Sequence, residues 1–192
     1  MKTPEEIEKL LAPEAKKYEL VYSRDRRYGH DCFGTQVLSF ISHLDFNVAL
    51  DIGAGGGEFA GALADLGKNV STIDICPAAV LLAARNPKLH CMEGHVPGLQ
   101  FDAMYDLITA FDVLEHVPPD LILDALQDIR DHCSKHFVAS IAWTGSVVCS
   151  QDLHPCKRSR KWWLDNIGVL FSSVEVIGNK PKDAGMTIYA RC

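Results

Sequence analysis

The residues best placed to do chemistry lie in Leu50-Asp51-Ile52-Gly53-Ala54-Gly55-Gly56-Gly57 and in Asp74, which closes the next apolar run. Clustered glycines allow a tight turn whose backbone can approach a ligand closely. A helix starting just after that turn offers unpaired N–H groups to bound polar atoms. An acid at the end of a second strand can accept two hydrogen bonds from a ribose diol. Together these features suit an adenosine-containing cofactor. Asp51 ahead of the turn disfavours a pyrophosphate, and Glu58 occupies the position of the third glycine in a dinucleotide fingerprint. Further along, His116 and His154 could each accept a proton from a reacting group.

Holding those residues requires alternating strands and helices. Val48 to Ile52 reads as a strand. Glu58 to Leu66 reads as a helix, with Phe59, Leu63 and Leu66 at helical spacing and Gly67 as its C-cap. Val70 to Ile73 forms a second strand. A helix over Pro77–Arg85, a strand over Leu89–Met92 and a strand over Tyr105–Phe111 follow. Pro118 and Pro119 should open a helix running to His132, ahead of a fifth strand over His136–Trp143. Thr144–Arg160 is irregular and Lys161–Leu170 helical. Ser173–Ile177 and Met186–Ala190 are the last strands, and with no helix between them the final strand should pair antiparallel. Upstream, Thr3-Pro4-Glu5-Glu6 is a capped helix start. That helix should carry Ile7, Leu10 and Leu11 and restart after Pro13 towards Leu20. Tyr22 to His30 reads as a loop or lid and Phe33 to Leu44 as an amphipathic helix. The alternation predicts an α/β three-layer sandwich with a seven-stranded, mainly parallel sheet.

The 192 residues, 47% apolar and 23% charged, are ordinary for one globular domain. A net charge of −6 argues against a nucleic-acid coat protein. No apolar run approaches the roughly 20 residues of a membrane span, and the charged N-terminus lacks a signal-peptide core. Seven cysteines at irregular spacing suggest reduced thiols and a cytoplasmic location. Of these, Cys76, Cys91, Cys133 and Cys149 sit beside apolar runs and read as core or near-core residues.

Leu50 to Gly57, Asp74, and Tyr105-Asp106-Leu107-Ile108 followed by Phe111-Asp112-Val113-Leu114-Glu115-His116-Val117 resemble, in order and spacing, the motifs of the class I S-adenosylmethionine-dependent methyltransferases. The Asp112–Val117 form resembles the branch of quinone-biosynthesis and small-molecule enzymes. This resemblance implies a Rossmann-like fold, with residues 1–45 as N-terminal helices and lid and 46–192 as the core of one domain. It implies that Gly53, Ala54 and Gly55 wrap the methionine part of the cofactor, and that Asp51 orients its ammonium. Asp74 would hold the ribose and Ile75 would pack on the adenine. Phe111 and Asp112 would line the transfer site, and S-adenosylhomocysteine would be the product. His95 stands where the family often has an Asp facing the adenine amine. It could accept that hydrogen bond, or the backbone of Val96 could serve instead.

For the acceptor, the reading is a small polar molecule methylated on oxygen, anionic or phosphorylated if the basic residues contribute. His116 and His154 are the candidate catalytic bases. Asp112-x-x-Glu115-His116, with His154, also resembles the E-x-x-E-H pattern that holds a divalent metal in some relatives, although the main expectation is a metal-free site. Two weaker candidates are the lid residues Arg24, Arg26, Arg27 and Tyr28, and the cluster Lys157, Arg158, Arg160, Lys161, Trp162 and Trp163. An RNA 2′-O-methyltransferase and a non-catalytic subunit with this fold are the rival readings; the sequence leaves oligomeric state open.

Overall fold

The computed structural model describes residues 2–25, 28, 35–99, 103–180 and 184–192. Thr3 caps helix α1 (Pro4–Arg24), its hydroxyl accepting from the Glu6 amide while the Glu6 side chain accepts from the Thr3 amide at 2.8 Å. α1 runs unbroken through Pro13, where the sequence suggests a restart. The exposed Pro13 ring sacrifices one backbone hydrogen bond, while Ile7, Leu11, Tyr18 and Val21 are buried and hold both halves of the helix against the body. Tyr22, Ser23 and Arg24 therefore belong to the last turn of α1 rather than to a loop. Arg26, Arg27 and His30 lie outside the described residues. Helix α2 covers Thr35–Ile41, within the longer segment expected; Phe33 is likewise outside the described residues.

The core alternates β1 (Val48–Ile52), α3 (Glu58–Asp65), β2 (Asn69–Asp74), α4 (Pro77–Ala83), β3 (Leu89–Glu93) and β4 (Tyr105–Phe111). A 3-10 turn over Leu114–His116 leads to α5 (Ile122–His132) and β5 (Cys133–Ala142). After the small hairpin β6 (Val147–Val148) and β7 (Gln151–Asp152) come α6 (Arg160–Gly168), β8 (Ser173–Asn179) and β9 (Gly185–Arg191). The hairpin turns on Cys149 and Ser150, both left-handed at φ 50° and 63°. Such a turn usually advertises itself by Asn or Gly; neither is present, so the sequence shows an irregular stretch.

The seven-stranded sheet has the order β3-β2-β1-β4-β5-β9-β8. β1 to β5 pair in parallel, and β9 is antiparallel to both β5 and β8. Side chains alternate between faces. Ala49, Leu107 and Val138 join Phe59 and Leu63 of α3 in one apolar cluster. Leu50, Ile108 and Phe137 join Leu126 and Ile129 of α5 in another, which also takes in Ile7 and Leu11 of α1. Successive crossovers leave β1 in opposite directions towards β2 and β4, so a crevice opens at the carboxyl ends of these strands. Among the described cysteines Cys76, Cys133 and Cys156 are buried and none is disulfide-bonded. No described helix is long and apolar enough to cross a membrane.

Gly185 faces Ala142 across the β5–β9 ladder, where an added Cβ would collide with the Ile141 carbonyl oxygen. Gly185→Ala should lower stability by about 1–3 kcal/mol in urea unfolding, the usual cost of overpacking.

Candidate functional site

The glycine turn is built by backbone bonds that reach into the neighbouring strand. The amides of Gly53 and Ala54 donate to the Ile73 carbonyl at 2.8 and 3.3 Å. Gly53 is left-handed at φ 65°, and a Cβ there would lie 2.5 Å from Val113 Cγ2. Gly57, at φ 81°, lets the start of α3 come within van der Waals reach of Ala83 and Leu89. The turn closes one wall of a cavity of about 460 Å³ at the carboxyl edge of the sheet.

All ten residues expected to bind the cofactor line this cavity: Asp51, Gly53, Ala54, Gly55, Asp74, Ile75, His95, Val96, Phe111 and Asp112. Asp51 is 3% exposed and accepts a hydrogen bond from Thr109 Oγ1 at 2.6 Å. Loss of solvent lifts its carboxyl to about 7, against the lowering effect of Thr109. Asp74 accepts from the amides of Gly55 and Cys76 at 3.0 and 2.9 Å, and burial lifts it to about 6. Phe111 packs edge-on against Phe59, with ring centres 4.6 Å apart.

His95 lines the adjoining wall and is held by two further contacts. Its Nδ1 lies 2.7 Å from the Pro97 carbonyl and its Nε2 3.0 Å from Glu8 Oε1. A carbonyl only accepts, so Nδ1 carries a proton. Val96, 3% exposed, provides the adjoining wall.

At the opposite end the fold brings together His116 and His154, which are far apart in sequence. Their rings meet edge-to-face with centres 4.7 Å apart. His116 Nδ1 is 2.6 Å from the Leu153 carbonyl and also touches the Tyr18 hydroxyl. His154 Nδ1 is 2.5 Å from the Thr144 carbonyl. A carbonyl only accepts, so each Nδ1 carries a proton, and in the neutral His116 ring Nε2 keeps the lone pair. Burial, reinforced by His154, lowers His116 to about 3, so its imidazole is neutral at neutral pH. Glu115, fully buried, accepts from the Ala142 amide at 2.7 Å through Oε1, while Oε2 has no hydrogen-bond partner. Burial followed by the nearby Asp112 charge lifts its carboxyl to about 8.

Donor atoms of Glu115, His116 and His154 all lie within 4.8 Å of one another and could hold a metal. Asp112 does not join this cluster, contrary to the four-residue pattern. Its backbone is left-handed at φ 54°, and its carboxylate accepts from Ser140 Oγ at 2.8 Å and pairs with Lys180.

The roof of the cavity is less legible in the sequence. Leu11, Glu14, Tyr18 and Tyr22 line it along one stripe of α1. Their spacing of three and four residues carries the signal, but it is followed only if the helix is continued through Pro13. Tyr28 stands 6.2 Å from Tyr18 and 5.4 Å from Tyr22, ring centre to ring centre. Burial raises the pKa of all three phenols, that of Tyr28 to about 12. Six carboxylates line the cavity, those of Glu14, Asp25, Asp51, Glu58, Asp74 and Asp112, with no Lys or Arg among the described lining residues. The basic cluster after β7 is largely self-paired. Lys157 bonds Asp152, Lys161 bonds Asp165, and the Arg158 guanidinium lies over Trp162.

Residues 8–171 match the family model described as a methyltransferase domain. The mitochondrial ubiquinone biosynthesis O-methyltransferase of Schizosaccharomyces pombe is 33% identical over 91 residues, covering 42% of this chain and 33% of that protein. A ubiquinone biosynthesis O-methyltransferase of Xylella fastidiosa is 34% identical over 107 residues, covering 48% and 41%. The match thus spans well under half the length of these relatives. Among solved structures, magnesium protoporphyrin IX methyltransferase from Synechocystis PCC 6803 superposes with a TM-score of 0.73 at 14% identity, covering 94% of this chain and 98% of that one. The 1,6-didemethyltoxoflavin-N1-methyltransferase of Burkholderia thailandensis gives 0.70 at 20% identity, covering 100% and 91%. These likenesses establish the fold.

Thr109→Val removes the one side-chain donor to Asp51. The Asp51 carboxyl should then titrate above its present value of about 7, followed by carbon-13 NMR of the carboxyl carbon.

Proposed function

The chain belongs to the methyltransferase domain family, and from that premise we propose that it transfers the methyl group of S-adenosylmethionine to an oxygen of a small polar acceptor. One observation carries this reading: two desolvated acids, Asp51 and Asp74, meet a left-handed glycine turn inside one cavity. Such acids suit a ligand that brings an ammonium, a sulfonium and a ribose diol. Asp51 would face the ammonium, the Gly53–Gly55 turn would wrap the methionine part, and Asp74 would accept from the ribose hydroxyls. Ile75 would pack on the adenine, and the Val96 backbone would meet its amine. The ends of β3 and β2 would then form the cofactor end and those of β4 and β5 the acceptor end, in keeping with the strand order. Phe111 and Asp112 mark the boundary between them. Residues 1–192 would act as one domain, with α1 as its roof.

The acceptor oxygen bonds to the methyl carbon as the carbon–sulfur bond breaks, and sulfur keeps the electron pair. The protein's contribution is alignment and removal of the hydroxyl proton. Burial makes His116 hold a proton poorly, and His154, its ring oriented by the Thr144 carbonyl, is assigned the role of base. The carboxylate lining supports an uncharged acceptor over a phosphorylated one, and weighs against an RNA backbone.

A second reading is favoured by Glu115 Oε2, which has no hydrogen-bond partner among the described residues, and by the closeness of the donor atoms of His116 and His154 to it. One carboxylate and two imidazoles, each fixed through its other nitrogen, form a donor set suited to zinc or manganese. A bound divalent ion would lower the pKa of the acceptor hydroxyl. Glu115, His116 and His154 would hold it, with Asp112 kept aside by Lys180.

Calorimetry should detect S-adenosylhomocysteine binding; its absence at tens of micromolar overturns the cofactor assignment. Asp74→Ala should weaken that binding roughly tenfold or more, given charge-assisted bonds of about 1.5–3 kcal/mol, and an unchanged affinity refutes the ribose role. Affinity for cationic S-adenosylmethionine should rise as pH climbs through about 7, where Asp51 ionises, and level off above it. For the second reading, zinc or manganese should raise the thermal midpoint of the wild type but not of His154→Ala. No shift in the wild type removes the metal.

A further inference from the structure

The loop that follows β3, from Gly94 to Leu99, supplies the wall of the cavity beside Asp74 and Ile75, through Gly94, His95 and Val96. Its far end is gripped from outside the cavity. The amides of Gly98 and Leu99 both donate to Asp128 Oδ2, at 2.6 and 2.9 Å. Asp128 lies on α5, does not line the cavity, and its side chain is only 15% exposed. Its other oxygen faces His132 Nδ1 at 3.2 Å.

Two consecutive amides converging on one carboxylate oxygen form a charge-assisted anchor, stronger than neutral hydrogen bonds. The rest of the loop adds to this anchor. The His95 ring turns back onto the Pro97 carbonyl and meets Glu8 of α1. Gly98, at φ 121°, fits under that ring, where a Cβ would come within 2.8 Å of His95 Cε1. Val96 is thereby fixed between an anchored carboxyl-terminal end and the end of β3, whose Gly94 amide donates to the Asp74 carbonyl at 3.0 Å. The wall facing the ligand is set by a side chain that never reaches the ligand.

We propose that Asp128 is a positioning residue of the cofactor site, acting through the Gly98 and Leu99 amides to hold the Gly94–Val96 wall at its working distance from Asp74. The inference rests on the cofactor reading given above. It assigns Asp128 no contact with ligand or reacting atoms.

Calorimetry with S-adenosylhomocysteine tests it on the full chain, using Asp128→Ala, Asp128→Asn and, as a control on the same helix, Asp131→Ala. Asp131 is exposed and bonds only Gln127 among the interactions described. Asp128→Ala should bind about tenfold more weakly. Asp128→Asn keeps one acceptor oxygen and loses the charge, so it should bind about threefold more weakly. Asp131→Ala should match the wild type. In parallel, NMR exchange at the Gly98 and Leu99 amides should quicken in both Asp128 variants while the β1 and β4 amides stay protected. Wild-type affinity in the Asp128 variants overturns the inference, as does uniform loosening of the sheet amides. If Asp128→Ala does not fold, Asp128→Asn decides by the same criteria. If the wild type itself fails to bind, the cofactor reading falls and takes the inference with it.

Discussion

A carboxylate taken out of water without a counter-cation is costly, and this chain places one at the point where its sheet reverses direction. Asp51 lies one residue before the end of β1 and, among the described residues, has a single side-chain donor, Thr109 on the adjacent strand β4. No packing advantage follows from an acid there. It lines the same cavity as Asp74, whose charge adds to the burial that raises its pKa. Ile73 at the end of β2 ties down the turn amides, Gly53 gives way to Val113, and Asp74 is steadied by two backbone donors without losing all its acceptor capacity.

The acceptor end follows a different logic. Two imidazoles are oriented by backbone carbonyls on the segment after β5, and Glu115 is pinned by the Ala142 amide. Backbone groups therefore set the tautomers, with Tyr18 of α1 completing the contact at His116. Asp112 pairs with Lys180 and Ser140, so its charge is already compensated. One end of the cavity thus carries the buried acids Asp51 and Asp74, and the other the two oriented imidazoles.

Most of the cofactor end can be read from the sequence because its residues are local. Asp51, the glycines and Asp74 fall within one strand–turn–helix–strand unit, and the order of strands follows from the alternation of apolar runs. Three features resist such reading. α1 passes through Pro13 because tertiary burial on the opposite face outweighs a local breaker. The β6–β7 hairpin turns on Cys149 and Ser150, which carry no turn signature. The contact of His95 with Glu8 and the pairing of Asp112 with Lys180 depend on partners far away in the chain, which spacing cannot reveal.

The placement of β9 between β5 and β8 bears on how the molecule is made. β8 emerges from synthesis before β9, yet the sheet has no seat for it until Gly185–Arg191 has slotted in beside β5. Until then β5 presents an open edge of the kind that recruits strands from other chains, and β8 has no partner. Parallel pairing of β1 to β5 can be complete while the barrier to misassembly rests on a single late strand. Its first residue is the glycine that clears the Ile141 carbonyl. Protection of that edge therefore depends on the β5–β9 ladder.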